Sequence, residues 1–225
     1  MESRTRIGAD FGARDVIVRW ADGRVLDIDI QWFLQMLEEM IRTGSRFEPG
    51  HTFQLGWSVL RFAAEGDLVA MEELDFSGEP GRFCPGVTRS LSSLRLQRSV
   101  NESLGLEGQL AFPSMRHSAL VCCELGAEGP VVGERREGAG PKSGWFFRCA
   151  EEGHDHDAAD ARVEVNLYQV ATRVPAVIPV LALPPVHHTV IHPDGRITVS
   201  DAAGRPLPVR PGSYLALRQE KLRPS

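Results

Sequence analysis

Between residues 29 and 44, Ile30, Phe33, Leu34, Leu37, Met40 and Ile41 recur at helical spacing, while Gln31, Gln35, Glu38 and Arg42 fall on the other side. This pattern predicts an amphipathic helix capped by Asp29, ended by Gly44 and packed by its stripe on a sheet. A second helix is predicted over 87–104, with Thr88 or Ser90 near its cap and Gly105 at its end. Its apolar positions form two groups on opposite faces, Val87, Leu91 and Leu94 in one and Leu96, Val100 and Leu104 in the other. Either both faces are covered or the helix breaks near Arg95.

Apolar runs over 53–63 and 68–74, turning at Glu65, Gly66 and Asp67, are candidate strands, with Trp57 and Met71 in the core. Two hairpins bracket the chain. One joins 16–20 to 25–28 across Asp22 and Gly23, and the other joins 189–192 to 196–199 across Pro193, Asp194 and Gly195. Residues 119–123 and 144–149 read as further strands and 166–173 as a short helix. Pro179 places the apolar run 176–183 at a sheet edge or in an extended connection. Between these, Gly126, Gly129, Gly133, Gly138, Gly140 and Gly144 lie among charges, so 126–143 reads as a flexible glycine-rich loop. The expectation is an α+β fold: antiparallel sheets with two main helices packed on them, in a single compact domain over 1–225.

Composition narrows the function classes. A chain of 225 residues buries about 70% of its unfolded surface and needs no metal or disulfide staple. The net charge of −5 lacks the basic footprint of a nucleic-acid binder. No apolar run is long enough to span a bilayer, and no apolar stretch follows Arg4 and Arg6 as a secretory leader requires. A cytoplasmic protein is expected. Cys84, Cys122, Cys123 and Cys149 contain no Cys-x-x-Cys pair, and the vicinal pair reads as strand filler.

The sharpest chemical cluster is Gly153-His154-Asp155-His156-Asp157. It suggests a metal-dependent enzyme or metal-binding protein using the His154/His156 loop, with His187, His188 or His192 as a distant further ligand. A polar turn held by Asp155 and Asp157 is the simpler account, so no metal ligand, cofactor or catalytic residue is assigned. Pro141 and the strand after it argue against a phosphate loop at 138–143. No Gly-x-Ser-x-Gly elbow exists, and Ser58 lies inside a strand. Cys149 near His154 reads as a small buried cysteine, and Glu72, Glu73 and Asp75 as a solvated strand edge. The chain is not expected to be an enzyme.

Several segments in order carry a resemblance. They are 55–62 (Leu-Gly-Trp-Ser-Val-Leu-Arg-Phe) with 74–77, 87–91 with 94–97, and 143–147 (Ser-Gly-Trp-Phe-Phe) through His154-Asp155-His156 to 165–168, followed by 178–179 with 181–185, and 206–214. Over roughly 53–217 the chain resembles the polymorphic-toxin immunity family numbered thirty-three, formerly a domain of unknown function. The resemblance implies an α+β immunity protein that binds and neutralises a cognate bacterial toxin or secreted effector, as in type VI secretion, without cofactor or catalytic residues. Loops carrying Glu134, Arg135, Arg136 and Glu137, and Glu151 to Asp157, are candidate anchors for that partner, but a solvated surface is the simpler account of both and neither is assigned as a site.

Overall fold

The stripe read between residues 29 and 41 is a helix, α1 (Asp27–Arg42), in the computed structural model, which describes residues 1–76, 81–126, 128–151, 153–156, 158 and 160–222. Ile30, Phe33, Leu37 and Ile41 are its buried positions. The helix starts two residues earlier than Asp29, with Leu26 at the cap. Asp27 and Asp29 both sit in the first turn, where their charge meets the positive end of the helix. Gly44 follows its end at φ 102°, as a terminating glycine does.

The chain divides into two compact units, Met1–Arg95 and Leu96–Ser225. The first holds α1 and the strands β1 (Glu2–Arg4), β2 (Val16–Arg19), β3 (Thr52–Leu55), β4 (Ser58–Glu65), β5 (Leu68–Leu74) and β6 (Phe83–Pro85). Their order is β1-β2-β5-β4-β3, with β6 also on β5. All pairs are antiparallel except β2 with β5. The turn at Gly66 and Asp67 closes β4 onto β5 with Glu65 opposite Leu68, as the sequence indicates. Trp57 and Met71 are core.

The expected hairpin across Asp22 and Gly23 does not form. Gly23 does turn the chain, at φ 66°, but β2 is paired by β1 on one side and β5 on the other. Residues 25–28 therefore lead into α1, Val25 being buried and Leu26 capping. Glu72 and Glu73 are likewise not a solvated edge. Glu72 pairs with Arg61 at 2.5 Å. Glu73 is buried, and its carboxylate accepts the backbone N–H groups of Arg89 (3.0 Å) and Ser90 (2.7 Å) at the start of the helix α2 (Thr88–Ser103). A strand side chain thus supplies the cap sought in Thr88 or Ser90.

The helix α2 is continuous through Arg95. Leu91, Leu94, Val100 and Leu104 are all buried, and the change of apolar face falls where the first unit gives way to the second.

The second unit holds β7 (Ser118–Cys122), β8 (Val131–Arg135), β9 (Lys142–Cys149), β10 (Arg162–Asn166), α3 (Leu167–Arg173), β11 (His187–Ile191), β12 (Ile197–Ser200) and α4 (Tyr214–Lys221). The strand order is β10-β7-β9-β8-β11-β12, antiparallel except for β7 with β9. Asn166 caps α3 in a capping box with Gln169. The hairpin β11–β12 forms as read. The 176–183 run is neither edge nor extended: Pro175–Val180 is a 3-10 turn with Pro175 in its first turn, and Val180 to Leu183 are fully buried.

The larger correction concerns the glycine-rich loop. Residues 131–135 are an inner strand, β8, paired on both sides. Gly133 is there for close approach: a Cβ would meet Thr189 Cγ2 at 2.8 Å and the Phe147 and Trp145 rings at 3.1 Å. Those rings stack at 4.9 Å on the covered face of the sheet. Beside them the buried Arg135 donates from one guanidinium nitrogen to the carbonyls of Ala111 (2.7 Å), Leu181 (2.9 Å) and Leu183. Burial depresses its pKa to about 10, so it remains a cation at neutral pH. Trp145 Nε1 also donates to Leu181, at 3.2 Å. Arg135 is therefore a core anchor and not part of an exposed binding loop.

Candidate functional site

The parallel neighbours β7 and β9 run in register with Leu120 opposite Phe146 and Val121 opposite Phe147. Both end in a cysteine, Cys122 and Cys149, so the two thiols arrive side by side, Sγ to Sγ 3.7 Å. From Cys149 the chain turns back through Gly153 at φ 93°, which returns His154 and His156 to the strand ends. His154 Nδ1 lies 3.6 Å from both Cys122 Sγ and Cys149 Sγ, and His156 Nε2 lies 4.0 Å from Cys149 Sγ. The imidazoles stack at 4.6 Å. One donor atom from each of these four residues lies within 4.8 Å of the other three. Cys122 and Cys149 are buried and the histidines half-buried. Both cysteines are free thiols.

This set can hold a metal ion. It is poorly suited to thiol nucleophilic chemistry, because burial raises the Cys149 thiol above its ordinary value, opposite to the depression a reactive thiolate needs. His154 and His156 are the two ligands the sequence singles out, but the further ligand expected at His187, His188 or His192 is not among the four. Those stand elsewhere: His187 is buried with Nδ1 2.9 Å from the Pro185 carbonyl, and His188 lies on β11 opposite Ser200. The available signal was Cys149-x4-His154-x-His156, a local run of three soft donors.

Next to this cluster, the outer face of the second unit's sheet is open. Alternation along β9 buries Trp145 and Phe147 and leaves Phe146 and Arg148 half-exposed. Leu120 on β7 is 39% exposed. These side chains line a concavity of about 710 Å³ together with Glu134, Arg162, Glu164, His154, Asp155 and His156. Arg162 lies over the Phe146 ring at 5.0 Å and donates from Nε to the His156 carbonyl at 2.5 Å, so it ties the histidine loop to the apolar centre. Glu134 pairs with Arg148 at 3.4 Å.

Of the candidate anchors, Glu134, Arg136 and Glu137 line this concavity, as does Asp155. Glu151 is exposed and does not line it, while Glu152 and Asp157 lie outside the described residues. Ser143, read against a phosphate loop, bonds the Ser118 carbonyl at 2.7 Å. Ser58 is buried in β4. No helix among the described residues is long and apolar enough to cross a membrane.

Residues 96–201 match the family model described as the Imm33-like domain. The match covers the second unit from within α2 to the end of β12. It bears out the immunity-family resemblance over that stretch. The segments quoted at 55–62, 74–77, 87–91 and 206–214 fall outside it. No curated protein and no solved structure matches the chain.

Proposed function

We propose that this protein binds and neutralises a cognate bacterial toxin or secreted effector, in the cytoplasm of the cell that makes both, and that it does so without catalysis. The Imm33-like match over residues 96–201 carries the reading. The open sheet face supports a binding role, because it has the form of a protein-binding patch. Phe146 and Leu120 make an apolar centre within a rim of Glu134, Arg148, Arg162 and Glu164. A tight inhibitor complex buries about 800 Å² per partner around such aromatic and arginine anchors. Effectors of type VI secretion are one class of partner that fits.

Co-expression tests this. The product of the adjacent open reading frame is produced with and without this protein, and growth is compared. Protection by the wild-type chain and its loss in Phe146→Asp are expected. Equal toxicity with and without the wild-type chain overturns the reading.

A metal-dependent enzyme built on the His154/His156 loop is favoured less. Hydrolytic metal chemistry needs an open coordination position, and four donors within 4.8 Å of one another make a closed set. We also propose that residues 1–225 unfold as one cooperative domain, since α2 begins in one unit and ends in the other. Two separate calorimetric transitions would contradict that.

A further inference from the structure

We infer that Cys122, Cys149, His154 and His156 form a structural zinc site. The geometry carries the assignment. A tetrahedral zinc ion sits about 2.3 Å from thiolate sulfur and about 2.0–2.1 Å from imidazole nitrogen, which sets sulfur–sulfur edges of about 3.8 Å and sulfur–nitrogen edges of about 3.6 Å. The sulfurs of Cys122 and Cys149 are 3.7 Å apart, and His154 Nδ1 is 3.6 Å from each. His156 Nε2, 4.0 Å from Cys149 Sγ, completes the fourth corner. The four donor atoms lie within 4.8 Å of one another and the His156 edge is wider than the ideal, so His156 moves inward to close the shell on an ion.

The chemistry selects the ion. Two thiolates and two imidazoles in a tetrahedral arrangement suit zinc, whereas oxygen-seeking calcium and magnesium are disfavoured by sulfur. Binding removes the protons of the two thiols, and the histidines ligate as neutral rings. All four corners come from protein, so no position is left for a substrate and the ion is structural. If His154 ligates through Nδ1, its Nε2 faces Cys123 Sγ at 3.8 Å, outside the coordination shell.

The placement gives the ion a task. Its ligands come from the end of β7, the end of β9 and the connection between β9 and β10. Ala150, Glu151, Gly153, Asp155 and Asp160 of that connection are exposed, and of the apolar residues described in it Ala161, next to β10, is the buried one. An ion at the cluster clamps it onto the two strand ends and holds His154, Asp155 and His156 at the wall of the concavity. A tether of this kind is what a polar connection of low burial requires. The site is independent of whether a toxin binds.

The test uses the full untagged chain, purified under reducing conditions. Elemental analysis is expected to find one zinc per chain. After chelation, zinc is returned in competition with a chromophoric chelator, and cobalt is substituted to read the tetrahedral thiolate absorption. Cys122→Ser and His156→Ala are each expected to weaken zinc binding at least a hundredfold, beyond the roughly 10–100-fold loss typical of outer-shell changes. Cys84→Ser, outside the cluster, is expected to leave binding unchanged. If a variant fails to fold, the wild-type titration decides alone. Less than a tenth of an equivalent of zinc taken up by the reduced, folded wild type overturns the assignment. A Cys122–Cys149 disulfide in that preparation does so as well.

Discussion

The two faces of the second unit's sheet are made from the same strands yet built to different rules. On the covered face, Trp145 and Phe147 stack, Gly133 leaves room for them, and Arg135 satisfies three carbonyls. These groups are closely packed against one another, so a change there costs stability. On the open face, Phe146, Leu120 and Arg162 are partly exposed around a concavity, with one ring–cation contact between them. Little in the fold requires an aromatic residue there. The contrast separates residues kept for folding from those available for a partner.

Substitutions sharpen that contrast. Trp145→Ala removes a fully buried indole and the N–H bonded to Leu181. It is expected to cost about 3–5 kcal/mol in urea unfolding. Arg135→Met keeps much of the volume but takes the guanidinium donor from the carbonyls of Ala111 and Leu183 and leaves that of Leu181 with Trp145 Nε1 alone. A loss of about 2–3 kcal/mol is expected in the same assay. Gly133→Ala forces a methyl group against Thr189 and the two rings, with an expected loss of about 1–3 kcal/mol. Phe146→Ala, on the open face, is expected to change stability by less than about 1 kcal/mol. A Phe146→Ala loss as large as that of Trp145→Ala would erase the distinction between the faces.

These residues also show what the sequence makes legible. The hairpin at Pro193, Asp194 and Gly195 and the short helix near 166–173 were readable because their determinants are local. So was the α1 stripe. Gly133 was misread as loop material because its reason, two aromatic rings from β9, lies across the sheet. Asp22 and Gly23 do form a turn, but tertiary pairing of β2 with β1 and β5 decided what followed. Glu73 caps a helix from a strand, a relation that local spacing does not express. At the candidate site His154 and His156 stood out. Cys122 joins them only because β7 and β9 are parallel neighbours, 27 residues apart at their cysteines. The motifs that carry the family resemblance, among them Trp145, Phe147 and Leu181 to Pro185, are mostly core. They identify the fold more than the binding face.

The central claim is that the protein acts by occupying a toxin through its open sheet face. Calorimetric titration of the product of the adjacent open reading frame into the wild-type chain and into Leu120→Asp/Phe146→Asp measures it directly. The account predicts tight one-to-one binding by the wild type and at least about a thirtyfold weakening in the double variant, the scale of a hot-spot residue, with the melting temperature retained. Unchanged affinity in the double variant, or no binding by the wild type, would contradict it.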